Sequence, residues 1–411
     1  MNTLALWLVL TRTTAPGPGV TTPTAAATAG FALSTAATST AEPVTRSLTV
    51  LAGLPTLPAL PGTVVAASTP TPLPHVLHPG GKMRGLNIPV WAPDFTIAVP
   101  QIYGAAGLDA NWVALVSHWY VTSAVPYTGT GIFRETGSLG KGENRTVSDA
   151  SLARSIEAAH AVGLKVLLKP HVDWTEGGWR GFFYFNDTAA REEWWTSYRA
   201  MITSTLKLAM DHGVEGICIG TELNDINKEP ASAAEWTRII ADIRAAGYTG
   251  QLTYAANWGL NADAEHDRPG LAGVWEQLDF IGVDAYYPLS DERDPSVETL
   301  VDGWRNGANA GHQDHFAALE TLHARTGKPV VFTEVGYPAK DFGPKNPVDD
   351  QPGPLNAALQ ARAAQALYQV WGAVPWWNGA FWWQYGPVFN SHSLQGRPVL
   401  DVLRQAWTTE Q

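Results

Sequence analysis

From residue 83 onward, eight short apolar runs alternate with longer amphipathic stretches, and this rhythm constrains the chain more than any other feature. The runs are Met83–Pro89, Trp112–Trp119, Lys165–His171, Gly216–Thr221, Gln251–Asn257, Phe280–Tyr286, Pro329–Glu334 and Gly379–Gln384. They are rich in Val, Ile and aromatic residues and have the length of buried strands. Helical patterns lie between them, among them Ser148–Val162, Ala189–His212, Ala231–Ala246, His315–Thr326 and Asn356–Val370. In the first of these, Leu152, Ile156, Ala159 and Val162 recur along one face, a serine (Ser148 or Ser151) opens the helix, and Gly163 stands just past its end. Strand and helix alternating eight times is the arithmetic of a (β/α)8 TIM barrel of the α/β class. A doubly wound open sheet is the rival, but no glycine-rich phosphate loop follows any early strand.

The barrel is expected over residues 81–411, behind a segment of different character. Only Arg12, Glu42 and Arg46 are charged before residue 80, and Thr, Ala, Pro, Ser and Gly dominate residues 11–80. Such a composition buries too little apolar surface to offset the entropy of ordering, so residues 1–80 read as a low-complexity, mostly disordered leader or linker. Leu4–Leu10 is too short to span a bilayer. Arg46 followed by the apolar stretch Leu48–Leu60 and Val64–Ala67 resembles a secretory signal displaced from the start, which makes an extracellular protein the expectation. Neither stretch reads as a membrane anchor.

Charge and cysteine usage remove several functions. The formal net charge is −11, so the chain lacks the basic stripe that nucleic-acid binding requires. The single cysteine, Cys218, excludes intramolecular disulfides, thiolate zinc clusters and CxxC redox chemistry. It lies among apolar residues of the fourth run and reads as a small core side chain. The eighteen tryptophans are more than a core needs.

In a barrel of this kind the chemistry collects at the carboxyl ends of the strands. Those ends read His118-Trp119-Tyr120, Lys169-Pro170-His171-Val172-Asp173-Trp174, Gly220-Thr221-Glu222-Leu223-Asn224, Ala256-Asn257-Trp258, Asp284-Ala285-Tyr286-Tyr287, Thr333-Glu334-Val335-Gly336-Tyr337 and Trp382-Trp383-Gln384-Tyr385. Glu222, on the fourth strand, and Glu334, on the seventh, are the only glutamates among them. A carboxyl pair converging on one pocket suits glycosidic bond cleavage: one member protonates the leaving oxygen while the other, ionised, attacks or stabilises the oxocarbenium-like centre. Burial and mutual repulsion are expected to push the two pKa values apart. Trp119, Trp174, Trp258, Tyr286, Trp382 and Trp383 would supply ring faces for sugars, and Lys169, His171, Thr221, Asn224, Asn257 and Asp284 would bind hydroxyls. Lys169 equally fits an ion pair inside the barrel. Of the adjacent Trp382 and Trp383 only one can face the lumen, and Trp382 is the expectation. Trp194, Trp195, Trp236, Trp304 and Trp407 fall on helix patterns and are read as packing. His171 and Asp173 form an HxD fragment, but the further ligands of a metal centre are missing, so neither metal nor cofactor is expected.

Several of these stretches together resemble glycoside hydrolase family 113, within clan A of the retaining glycosidases. They are Gly163–His171, Gly220-Thr221-Glu222-Leu223, Leu252–Trp258, Ile281–Pro288 and Phe332–Tyr337. The likeness runs over roughly residues 83–408, and barrel domains of gene-transfer agents share parts of it. The resemblance implies endo-β-1,4-mannanase activity on mannan or glucomannan, with Glu222 as acid/base, Glu334 as nucleophile and Tyr286 as hydrogen-bond partner of Glu334. Many clan A members carry Asn directly before the acid/base glutamate. Thr221 stands there instead, which leaves the sugar 2-hydroxyl to Thr221, Asn224 or Asn257. The alternatives are a clan A enzyme for another β-glycan (glucan, galactan or a cell-wall polymer) and a carbohydrate-binding barrel without catalysis. A monomer is expected, with a polysaccharide or oligosaccharide as its partner.

Overall fold

The computed structural model describes residues 81–122, 131–134, 146–175, 177–185, 187–259, 264–306 and 314–409. The expectations for residues 1–80 lie outside these. Eight parallel strands close into a barrel: β1 (Met83–Pro89), β2 (Trp112–Val116), β4 (Lys165–Leu168), β6 (Gly216–Thr221), β7 (Gln251–Asn257), β8 (Ile281–Asp284), β9 (Val330–Val335) and β10 (Trp377–Trp382). The remaining named strands, β3 (His118–Val121) and β5 (His171–Trp174), pair with each other, in parallel, just beyond β2 and β4, and Tyr120 of β3 also bridges to Phe133. The chain is thus the expected (β/α)8 barrel, with the second and third runs each broken in two. Pro170 accounts for the break in the third: it has no N–H for the ladder, which resumes when the His171 amide donates to the Ser117 carbonyl at 2.8 Å.

The helices are α1 (Val99–Ala106), α2 (Asp149–Ala161), α3 (Thr188–Asp211), α4 (Ser232–Ala245), α5 (Val297–Arg305), α6 (His315–Thr326), α7 (Ala357–Trp371) and α8 (Val399–Thr409). Ser148 caps α2 by accepting from the Ser151 amide, and Gly163 beyond its end takes a positive φ of 79°. Trp194, Trp195, Trp236, Trp304 and Trp407 are all buried between helices and sheet, as their helical spacing predicts. No helix among the described residues is long and apolar enough to cross a membrane.

The lower lumen is a separate apolar plug of Met83, Trp112, Ala114, Leu167, Cys218, Ala255, Phe280, Val331 and Phe381. Phe381 and Trp112 meet edge to face at 6.2 Å. Gly85 on β1 makes room for them, since a Cβ there would sit 2.3 Å from the Phe381 ring. Each large side chain removed from water in this plug contributes on the order of 2 kcal/mol. Above the plug the lumen turns polar, beginning with buried Asn87, whose amide donates to the carbonyls of Thr333 and Phe381 at 3.0 Å each.

Candidate active site

Glu222 and Glu334 reach the mouth of the barrel from opposite walls and enter one polar cluster with different donor sets. Glu334, near the end of β9, is 5 % exposed. The Lys169 ammonium donates to its Oε1 at 2.5 Å and the Tyr286 hydroxyl to its Oε2 at 2.7 Å. Lys169 is wholly buried and also holds Asp284, at 3.0 and 3.2 Å to its two oxygens, while the Thr333 hydroxyl caps Asp284 Oδ1 at 2.8 Å. Burial alone would lower the Lys169 pKa, but the charges of Asp284 and Glu334 overrule it and keep the ammonium protonated. One cation serves two carboxylates, and the excess shows at Asp284: burial, then the Glu334 charge, raise its carboxyl well above the usual range. Burial and the same Glu334 charge raise the Tyr286 phenol, which stays a donor.

Glu222 sits one residue past β6, 8 % exposed, with a φ of +51°. That left-handed backbone costs a non-glycine residue about 1–2 kcal/mol and follows a shift in the β6–β7 register between Cys218 and Thr221. The Glu222 amide keeps a bond to the Ala255 carbonyl at 2.9 Å while the strand turns its side chain into the cleft. Oε2 accepts from the Trp179 indole at 2.9 Å and from Arg180 at 3.0 Å, and Oε1 accepts from the Asn257 amide at 2.8 Å. Glu222 is thus buried, with an indole beside it. A guanidinium lies against it.

Arg180 and His171 span the gap between the two glutamates. Arg180 donates to Asp173 Oδ1 at 2.7 Å and to His171 Nδ1 at 2.9 Å. A guanidinium only donates, so His171 Nδ1 accepts and the ring proton lies on Nε2, 3.5 Å from Glu334 Oε1. Burial, together with the charges of Arg180, Lys169 and His118, depresses the His171 pKa well below its ordinary 6.5 and keeps the ring neutral. Burial would raise the Asp173 carboxyl, yet Arg180 and His118 (Nδ1 at 2.6 Å) hold it far below the carboxylate range. The HxD fragment thus anchors an arginine. No group of His, Cys, Asp or Glu among the described residues is arranged to hold a metal ion.

Strand alternation decides the aromatics. His118 takes the inward position on β3, so Trp119 faces outward beneath the Arg134 guanidinium (4.1 Å), beside Leu152 of α2 and Leu208 of α3. On β5, His171 and Asp173 face the cleft, and Trp174 stacks on Phe183 at 5.5 Å, which in turn leans on Trp194 of α3. On β10, Phe381 belongs to the plug, so Trp382 is fully buried toward the helices and its indole donates to the Tyr368 hydroxyl at 3.2 Å. Trp382 is thereby closed off from any sugar, while Trp119 and Trp174, partly exposed, lie on the sides of their strands opposite His118, His171 and Asp173. Of the adjacent pair it is Trp383 that faces the cleft: partly exposed, it stacks on His171 at 6.4 Å and 10°, and the Trp383–Gln384 peptide is cis. Trp258 is half-buried, edge-on to Tyr287 at 5.9 Å. Thr221 directs its hydroxyl toward Cys218 Sγ, 3.7 Å away, and Asn224 keeps a buried Oδ1 without a hydrogen-bond partner among the described residues. Sequence reasoning missed Arg180 and Trp179, on the loop after β5, as well as Trp91, which stacks on His118 at 4.6 Å. The Asp173 carboxylate at a strand end was the one available signal for Arg180.

A (β/α)8 barrel with a buried glutamate pair at its carboxyl-terminal mouth is an arrangement that glycoside hydrolysis can use. The family model for Glycoside Hydrolase Family 113 matches residues 133–394, and the chain belongs to that family. Among solved structures it is similar to the β-mannanase of this family from Alicyclobacillus acidocaldarius, with 27 % identity, TM-score 0.65, and 80 % of this chain and 98 % of that one covered. It is also similar in fold to a β-1,4-mannanase of the family, with 20 % identity, TM-score 0.62, and 80 % and 99 % covered. More distantly, it shares its fold with a Faecalibacterium prausnitzii β-glucuronidase, with 14 % identity, TM-score 0.51, and 80 % and 49 % covered. No curated protein matches the chain.

Proposed function

We propose that this glycoside hydrolase is a retaining endo-β-1,4-mannanase acting on mannan or glucomannan, with Glu334 as nucleophile and Glu222 as acid/base. The observation that carries the reading is the unequal setting of the two carboxyls. Glu334 receives an ammonium and a phenol, which orient both its oxygens and stabilise negative charge, as an attacking carboxylate requires. Glu222 is met on Oε2 by two donors from one loop, Trp179 and Arg180, and on Oε1 by Asn257. A glycosidic oxygen entering the cleft would take the place of Arg180 at Oε2 and receive the proton there. When the Glu334 glycosyl ester forms, a negative charge disappears from the cluster, and Glu222 then serves as base toward water. Asn257, beside Glu222, is the residue for the sugar 2-hydroxyl, and the Trp383 face is the floor for the sugar ring. The mannan preference rests on the mannanase relatives.

The test is product analysis on mannan, cellohexaose and galactan side by side, with the anomer of the first product read by NMR. Oligosaccharides from mannan, released with retained configuration, are expected. Preferential cleavage of another polymer would replace the substrate, an inverted product would remove the nucleophile assignment, and binding of mannan without release of reducing ends would make the barrel a binding module. Azide is expected to restore turnover of an activated aryl glycoside by Glu222→Ala.

A further inference from the structure

Behind Glu222, away from the cleft, lies a buried polar network that the reaction does not touch. Its centre is Glu265, fully buried on the short turn Glu265–Asp267 after β7. Oε2 of Glu265 accepts from the Asn257 backbone amide at 2.7 Å. Oε1 accepts from the Tyr254 hydroxyl at 2.5 Å and from the Asn227 side chain at 2.7 Å. The Tyr254 oxygen in turn accepts from the Leu223 amide at 2.9 Å and from Asn227 at 2.8 Å, and the Trp236 indole fixes Asn227 Oδ1 at 2.8 Å.

Two routes therefore lead from one carboxylate to Glu222. One runs through Asn257, whose side chain donates to Glu222 Oε1; the other runs through Tyr254 to Leu223, the residue bonded directly to Glu222. Glu222 holds a left-handed backbone that a non-glycine residue keeps only where its surroundings impose it. A space needing only to be filled would be filled at lower desolvation cost by an apolar side chain.

We propose that Glu265 is a positioning residue for the acid/base step: by gripping Asn257 and Tyr254 together it fixes the backbone turn and the aim of Glu222. The inference rests on the glycosidase reading above and deepens it. Burial raises the Glu265 carboxyl to about 7 against the pull of its three donors, and the Glu222 charge adds to the rise, so the two carboxyls are close enough to feel one another.

The experiment uses two variants of the full chain, Glu265→Gln and Tyr254→Phe. Glutamine keeps the size of the side chain but sets an N–H against one of the donors; phenylalanine removes the hydroxyl and leaves the carboxyl. Each variant is assayed on paired substrates, an unactivated oligosaccharide and the 2,4-dinitrophenyl glycoside of the same sugar, drawn from whichever manno-, gluco- or galacto-series the wild type cleaves. Dinitrophenolate departs without a proton, so only the oligosaccharide needs a well-aimed acid. In both variants kcat/KM on the oligosaccharide is expected to fall about 10–100-fold with KM little changed, and to move less than about threefold on the dinitrophenyl glycoside.

An equal fall on both substrates, or no fall on either, overturns the proposal. If one variant fails to fold, the other decides. Failure of both to fold would assign the network to the fold alone and overturn the positioning role. A wild type that cleaves none of the paired substrates removes the glycosidase reading itself, and this inference with it; a wild type that cleaves them leaves only the variants in question.

Discussion

The two halves of the barrel lumen are built on opposite principles. The lower half is the apolar plug around Phe381 and Trp112, with no ion pair among its members. Directly above it Lys169, Asp284, Glu334, His171 and Glu222 are buried together, and Arg180 and Asp173, each partly open to water, close the cluster. The plug gains stability from every side chain it removes from solvent. The upper layer gives up stability, because desolvating each charge costs several kcal/mol and its partners return only part of that. A fold carries such a layer only where its charges are used, and the plug beneath supplies the stability that lets it persist.

The sharpest way to break the contrast is in the upper layer. Glu334→Ala is expected to lower turnover on the polymer more than about a thousandfold while the fold survives, because Lys169 keeps Asp284 as partner; kcat and a thermal melt check both halves of that statement. Next comes a matched pair of core substitutions. Lys169→Met leaves Asp284 and Glu334 buried together without their cation, at a cost of about 3–5 kcal/mol and with loss of activity. Phe381→Ala empties part of the plug at a similar cost of about 3–5 kcal/mol, yet turnover per folded molecule should stay near wild type. Denaturant melts with active-site titration separate the two.

A smaller effect follows from pH. The His171 pKa is depressed in the folded chain, so the unfolded chain takes up a proton below its ordinary 6.5 that the folded chain refuses. Stability from this group is present above 6.5 and drains as pH falls, by up to about 1.4 kcal/mol per pH unit. His171→Asn should flatten the stability profile between about pH 6.5 and 5 relative to wild type, whereas Phe381→Ala should shift it without changing its slope. The smallest effect separates neighbours on one strand end: Trp383→Ala should weaken substrate binding by about 1 kcal/mol, seen as a raised KM, and Trp382→Phe should lower the melting temperature with KM unchanged.

The folding rhythm was legible because the strands carry it locally. β1, β6 and β7 have the bounds that their apolar runs predict, as does α6. The second and third runs divide because Pro170 interrupts a ladder and β3 and β5 then pair on their own, a non-local event that hydrophobicity does not encode. At the site, Lys169, His171, Asn257, Asp284 and Tyr286 stand around the two glutamates because residue type and strand-end position already single them out. Trp119, Trp174 and Trp382 do not, because alternation says that neighbours face opposite sides without saying which neighbour faces in. Arg180, Trp179 and Glu265 come from loops and turns, where no periodicity marks a partner.

The sequence by itself determined the barrel and the placing of two glutamates at the ends of its fourth and seventh strands, since short-range patterning and strand order suffice for both. The tertiary structure alone decided that Trp383 rather than Trp382 faces the cleft, that Arg180 reaches both His171 and Asp173, and that the buried Glu265 is linked through Asn257 and Tyr254 to Glu222 and its neighbour Leu223. Those outcomes depend on strand register and on side chains meeting across long stretches of chain, and such contacts exist only once the barrel has closed.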